Sequence, residues 1–258
     1  MCLAVVALDA HPRYAMVLAA NRDEYYARDA SPLAWWNEGE TPDILAGRDL
    51  TAGGTWLGVA STGRWAFVTN VREPGRHDAV APSRGALVPR VLRHADSVAS
   101  AIEAIEAEPA RYNGYNLIAG EASTAFWYSN RGGPMQALGS GVHGISNAQL
   151  DTAWPKVRRI RTGVSAWIAS GTDNIEALLD ILSDRGIAPD HELPSTGVSL
   201  EWERALSAPF IVTERYGTRC SSVITITRAG EVRFHERSFD ATGTRRGDTS
   251  ERFEISSA

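Results

Sequence analysis

Apolar runs of strand type and apolar repeats of helical spacing follow each other along this chain in blocks, not one by one. Strands come first, then a helical block, strands again, a second helical block, and strands at the end. A doubly wound parallel sheet requires strict alternation of single strands and helices, so it is disfavoured. The block order fits helices packed outside two mostly antiparallel sheets, an α+β fold of αββα sandwich type. No internal repeat, low-complexity tract or clean linker interrupts residues 1–258, which predicts one domain with enough chain to bury a sizeable core.

Residues 2–8 (CLAVVAL) read as a buried strand, and 14–20 (YAMVLAA) as its hairpin partner across the turn Asp9-Ala10-His11-Pro12. The second strand is expected to end where four polar residues begin, Asn21-Arg22-Asp23-Glu24. Residues 29–53 look loop-rich, carrying Pro32, Gly39, Pro42 and Gly47. Two short strands, 56–60 and 65–69, flank the turn Ser61-Thr62-Gly63, and a polar loop fills 71–82. Ser83 is a good N-cap for a segment in which Leu87, Val91, Val98, Ile102 and Ile105 keep helical spacing, with a break near His94-Ala95-Asp96. Strand character returns over 116–120, 124–128 and 144–147. Helices are predicted from Thr152, with Pro155 in the first turn, and over 174–184. A connector with one helical turn covers 186–208, strands cover 221–227 and 231–237, and the last residues read as frayed.

The formal net charge of −5 argues against a nucleic-acid binder, which carries a basic face. Lys156 is the only lysine, and every other strong cation is arginine. That bias suggests a GC-rich bacterial source and leaves many planar, bidentate donors for anionic groups. Cys2 and Cys220 are the only cysteines, too few for a disulfide framework, and the expected setting is cytoplasmic. The first residues lack the basic start of a signal peptide, and no run reaches the roughly 20 apolar residues that span a bilayer. The six histidines are scattered outside any metal motif, so no metal site is predicted.

Cys2 has two readings. It is a small buried hydrophobe of the first strand, or it becomes the N-terminus once Met1 is removed. In the second case one residue carries a thiol and an α-amine with an unperturbed pKa of about 7.7–8.0. The amine takes the thiol proton, so nucleophile and base come together and no distant histidine is needed. The hairpin brings Asn21, Arg22, Asp23 and Glu24 back beside Cys2. Arg22 then lowers the thiol pKa or grips a substrate carboxylate, and Asp23 holds the amine. Their other reading is a surface charge cluster. Asn70 and Asn147 end strands, where a side-chain amide serves as an oxyanion donor or as a plain turn former. Arg219 precedes a late core strand and points at the same region, whereas Cys220 reads as packing. Of the eight tryptophans, Trp56 is a candidate wall for a flat ligand, although core packing is the usual role of each.

These residues sit in ordered blocks: NRDE at 21–24, GGTWLG at 53–58, TN at 69–70, SRG at 83–85, YNLIAG at 115–120, GISNAQLDTAWPKV at 144–157 and YGTRCSSV at 216–223. Together they resemble the NRDE family, that of the transport and Golgi organisation protein. The resemblance implies an N-terminal-nucleophile (Ntn) hydrolase-like fold. More distantly the pattern is similar to the choloylglycine hydrolase and penicillin acylase group. By position Cys2, Arg22, Asp23, Asn70, Asn147 and Arg219 match catalytic roles there, with Asn21, Glu24 and Trp56 as ligand contacts. In those hydrolases two residues separate the arginine and the aspartate, whereas here they are adjacent. Adjacent strand residues point to opposite faces, so both face Cys2 only where the strand has ended. The implied chemistry is hydrolysis or acyl transfer on a small amide or acyl compound, with no cofactor required. The family also implies an alternative, haem or acyl-CoA binding without turnover. With no C-x-x-C-H motif, haem would be held noncovalently.

Overall fold

Even-numbered and odd-numbered residues of the first hairpin are both apolar, and both faces are covered. In the computed structural model, which describes residues 2–36, 39–108 and 112–256 but not the Cys2 side chain, β1 (Cys2–Leu8) pairs antiparallel with β2 (Tyr14–Tyr25). Ala4, Val6, Leu8, Met16, Leu18 and Ala20 face a second sheet. Leu3, Val5, Ala7, Val17 and Ala19 face a helical layer. Burial on both sides explains why these strands read as near-continuous apolar runs.

The second sheet opens with β3 (Ala30–Trp36), β4 (Ile44–Asp49), β5 (Leu57–Ala60) and β6 (Arg64–Asn70). It continues through β7 (Tyr115–Glu121), β8 (Thr124–Ser129) and β9 (Gly133–Leu138) in simple sequence order. The first sheet has the order β10-β1-β2-β11-β12-β13, with β10 at Gly141–Ile145, β11 at Tyr216–Thr227, β12 at Glu231–Phe239 and β13 at Arg245–Glu254. Helices α1 (Leu87–Leu92) and α2 (Val98–Glu106) cover the outer face of the seven-stranded sheet. Helices α3 (Pro155–Ala169) and α4 (Ile175–Leu182) cover the six-stranded one. A short α5 (Leu200–Leu206) lies in the connector. The layers are therefore αββα, with a core of Trp65, Phe67, Ile118, Trp127, Ile224 and Phe234 between the sheets.

Three expectations are corrected. The Asn21–Glu24 stretch does not follow the strand; it lies inside β2, which runs to Tyr25. Its first residue is hydrogen-bonded into the sandwich: Asn21 Nδ2 donates to the carbonyls of Leu182 and Pro209, and Asn21 Oδ1 accepts from Ser221 Oγ. Residues 29–53 are not mainly loop but hold β3 and β4. Pro32 is tolerated because β3 is an edge strand with a register irregularity between Ser31 and Ala34. The chain does not fray after residue 237. Arg245–Glu254 form the edge strand β13, whose charged, exposed residues carry no apolar alternation to read.

Candidate active site

The β1–β2 register places Cys2 opposite Arg22, and the β2–β11 register places Arg22 opposite Cys220. The row lies where the two sheets splay apart, and a cavity of about 430 Å³ opens there, bordered by Arg22, Asp23, Trp56, Asn70, His77 and Arg84. The Cys2 side chain itself lies outside the described residues.

Because β2 continues, Arg22 and Asp23 point to opposite faces. Arg22 turns between the sheets and is 5% exposed, its guanidinium 4.4 Å from the centre of the Trp56 ring. Asp23 turns towards the helical layer and is 1% exposed, accepting a 2.7 Å hydrogen bond from Thr218 Oγ1. Burial pushes the Asp23 carboxyl above its usual range, against the pull of Lys156 and the Thr218 hydroxyl. Lys156, 1% exposed at the start of α3, is a charge that sequence reasoning gave no role, although being the sole lysine was its signal.

Asn70 ends β6 at the cavity wall. Asn147 is 1% exposed and does not border the cavity; its Nδ2 donates to the Asn70 carbonyl at 2.9 Å. Behind them Thr69 Oγ1 donates to the Ser146 carbonyl, and Asn116 Nδ2 donates to Thr69 Oγ1 and to the Ala148 carbonyl. The TN, YNLIAG and GISNAQ blocks thus converge in one buried network. Arg219 is the extra residue of a bulge in β11, and its Nη1 donates to the carbonyls of Tyr25, Tyr26 and Arg28. It shapes the end of β2 and does not reach the main cavity.

Glu24 borders the main cavity and also an adjoining groove of about 300 Å³ with Tyr25, Val198, Trp202, Leu206 and Tyr216. Within the cavity Arg28 donates to Asp49 through Nε and Nη2. Burial pushes the Asp49 carboxyl up, but the hydrogen bonds and charge of Arg28 together with the Thr51 and Ala52 N–H groups leave it below its usual range. Arg84 belongs to the SRG block, so its place was within reach of the motif; His77 and Asp49 had no signal in the sequence.

The family model for Transport and Golgi organisation 2 (TANGO2) matches residues 1–241. The chain belongs to this family. It is 35% identical to the human Transport and Golgi organization protein 2 homolog over 92% of this chain and 93% of that one. To the mouse homolog it is 32% identical, over 97% of both chains. Among solved structures, the C2A mutant of the conjugated bile acid hydrolase from Clostridium perfringens matches with a TM-score of 0.52 at 10% identity, over 99% of this chain and 92% of that one. The TANGO2-family chain therefore has the Ntn-hydrolase fold. No helix among the described residues is long and apolar enough to cross a membrane.

Proposed function

We propose that this TANGO2-family chain is a cysteine-dependent hydrolase or acyl-transfer protein for a small amide or acyl compound, acting in a reducing cytosolic setting through Cys2 after loss of Met1. The observation that carries this reading is the register that sets Cys2 opposite Arg22 at the rim of a cavity bordered by Arg22, Asp23 and Asn70. The bile acid hydrolase with the same fold was solved as its C2A mutant, so it too carries a cysteine at position 2.

In this reading the α-amine of Cys2 takes the thiol proton and the thiolate attacks the substrate carbonyl. Asn70 donates to the developing oxyanion, and Asn147 is a positioning residue that fixes the Asn70 backbone. Asp23 accepts from the α-ammonium and orients it. As the tetrahedral intermediate collapses, the ammonium proton passes to the leaving amine. Water, or an acceptor amine or alcohol, then cleaves the thioester and returns the thiol. Arg22 meets a carboxylate or phosphoryl group of the substrate. Intact mass checks the premise: Met1 is absent, and a panel of small N-acyl amides leaves a thioester adduct on Cys2. Cys2→Ala is expected to abolish the adduct and cut turnover by at least about a thousandfold. Full Met1 retention in active protein, or unchanged turnover in Cys2→Ala, overturns the proposal.

A second reading rests on the groove of Tyr25, Val198, Trp202, Leu206 and Tyr216, which continues the cavity through Glu24 and Asn70. It offers an apolar bed for an acyl chain whose polar end reaches the arginines, so binding of acyl-CoA without turnover is the alternative. Haem fits the groove less well: no cation lines it to meet the propionates, and the axial candidates are the phenols of Tyr25 and Tyr216.

A further inference from the structure

Arg22 is a deeply set charge at the open end of the sandwich, on the wall of two cavities. Its guanidinium makes no hydrogen bond or salt bridge among the described residues; it lies over the Trp56 ring, and its charge acts on the buried Glu236 carboxyl, opposing the burial that raises it. Its five N–H donors belong to a group only 5% exposed that borders both cavities.

The Arg22–Trp56 pair also forms a partition. On its far side from the main cavity lies a separate space of about 260 Å³, bordered by Arg22, Trp56, Arg219, Cys220, Ser238 and Arg246. Arg22, Cys220 and Ser238 stand on one register row across β2, β11 and β12, so they share the face that looks across to β3. Arg246 reaches the space from β13. The one acid on its wall, Glu236, is 3% exposed and already accepts from the Leu33 N–H at 2.8 Å. Three arginines thus border a space whose single carboxyl is engaged by its own sheet and by β3.

We propose that this second cavity binds a small oxyanion, a carboxylate or phosphoryl group, with Arg22 as its buried donor and Arg246 as its outer one. The site shares Arg22 with the reading proposed above but needs no chemistry at Cys2. The bidentate fork of Arg22 suits two oxygens of one group, while the Ser238 hydroxyl on the same row donates to the Gly247 carbonyl at 3.2 Å. An oxyanion there also competes for Arg22 with any anion in the main cavity, since the same side chain borders both.

Equilibrium dialysis of the full chain against radiolabelled inorganic phosphate and, separately, acetate tests this at constant ionic strength set with chloride. One saturable equivalent of at least one of the two is expected, and which one binds tells a phosphoryl from a carboxylate ligand. Arg246→Gln, at an exposed edge position, should weaken binding roughly threefold. Ser238→Glu should abolish binding by placing a carboxylate in the space. His77→Gln, on the wall of the main cavity only, should leave it unchanged. Absence of saturable binding overturns the proposal, as does loss in His77→Gln with retention in Ser238→Glu. The same measurements in a Cys2→Ala background keep the outcome separate from any failure of Cys2 chemistry.

Discussion

Lys156 and Asp23 carry opposite charges in a part of the molecule where water reaches neither. Each is 1% exposed, and the lysine charge is the largest influence opposing the burial that raises the Asp23 carboxyl. Removing one member of such a buried couple leaves the other charge without its compensation, which costs far more than removing both. Lys156→Met should therefore destabilise the fold by about 3 kcal/mol, and the double variant Asp23→Asn/Lys156→Met by clearly less than the sum of the two singles. Urea unfolding of all four proteins checks this, and additive losses would show that the two charges do not act on each other. At this scale the sequence was half legible. The polarity of Asn21 to Glu24 announced a special place, and the adjacency of Arg22 and Asp23 announced that their side chains would diverge. It could not show that Lys156, over 130 positions away in the chain, closes the charge balance, because only the packing of α3 on β1 and β10, beside β2, brings them together.

Two of the stretches that went unread, the polar end of β2 and β13, are held by hydrogen bonds and ion pairs, whereas β4 is buried, with an apolar start, and was hidden by the prolines and glycines around it. In β2 the polar end remains strand because Asn21 and Asp23 find partners on α4, on β11 and in the chain before it. In β13 the anchor is Asp248, which accepts from Arg237 Nη2 at 2.7 Å and pairs with His235 Nε2 at 3.1 Å across to β12. Hydrogen bonds from Arg237, with its charge and the His235 contact, hold the Asp248 carboxyl down at about 2. The unfolded value lies near 3.9, so the lowered carboxyl contributes stability that is fully present above about pH 4 and lost as pH falls through about 2. Hydrogen exchange should accordingly show β13 amides losing protection between about pH 4 and pH 2 while β1 and β2 stay closed. Asp248→Asn should cost about 1–2 kcal/mol at neutral pH and remove that acid step. Equal protection of β13 at pH 2 and pH 5 would count against the anchor. The helices, by contrast, were legible from spacing and caps: Ser83 accepts from the Gly85 N–H at the short turn that leads into α1, and Pro155 opens α3; the Ser97 cap of α2 was not read.

Across the whole molecule the two cavities exist because the sheets part at one end, and the GGTWLG and SRG blocks fix how far. Gly54 approaches Gly85 so closely that a Cβ on Gly54 would stand 2.4 Å from the Gly85 carbonyl carbon. The contact is sealed by the Thr55 N–H donating to the Gly85 carbonyl at 3.0 Å. It pins residues 83–85, with Arg84, against the segment that carries Trp56 into β5, so one backbone contact sets a cavity wall and the Trp56 partition together. Neither flexible side chain nor solvent is there to yield; any larger residue must push backbone on backbone. Gly54→Ala should therefore cost about 1–3 kcal/mol, as overpacking does elsewhere. Its second effect separates this account from simple destabilisation. The 76–86 segment should exchange its amides faster and become the first site of limited proteolysis, while β1, β2 and β11 keep native protection. A uniform rise in exchange across both sheets, or an unchanged 76–86 segment at lowered stability, would show that the Gly54–Gly85 contact does not hold the wall.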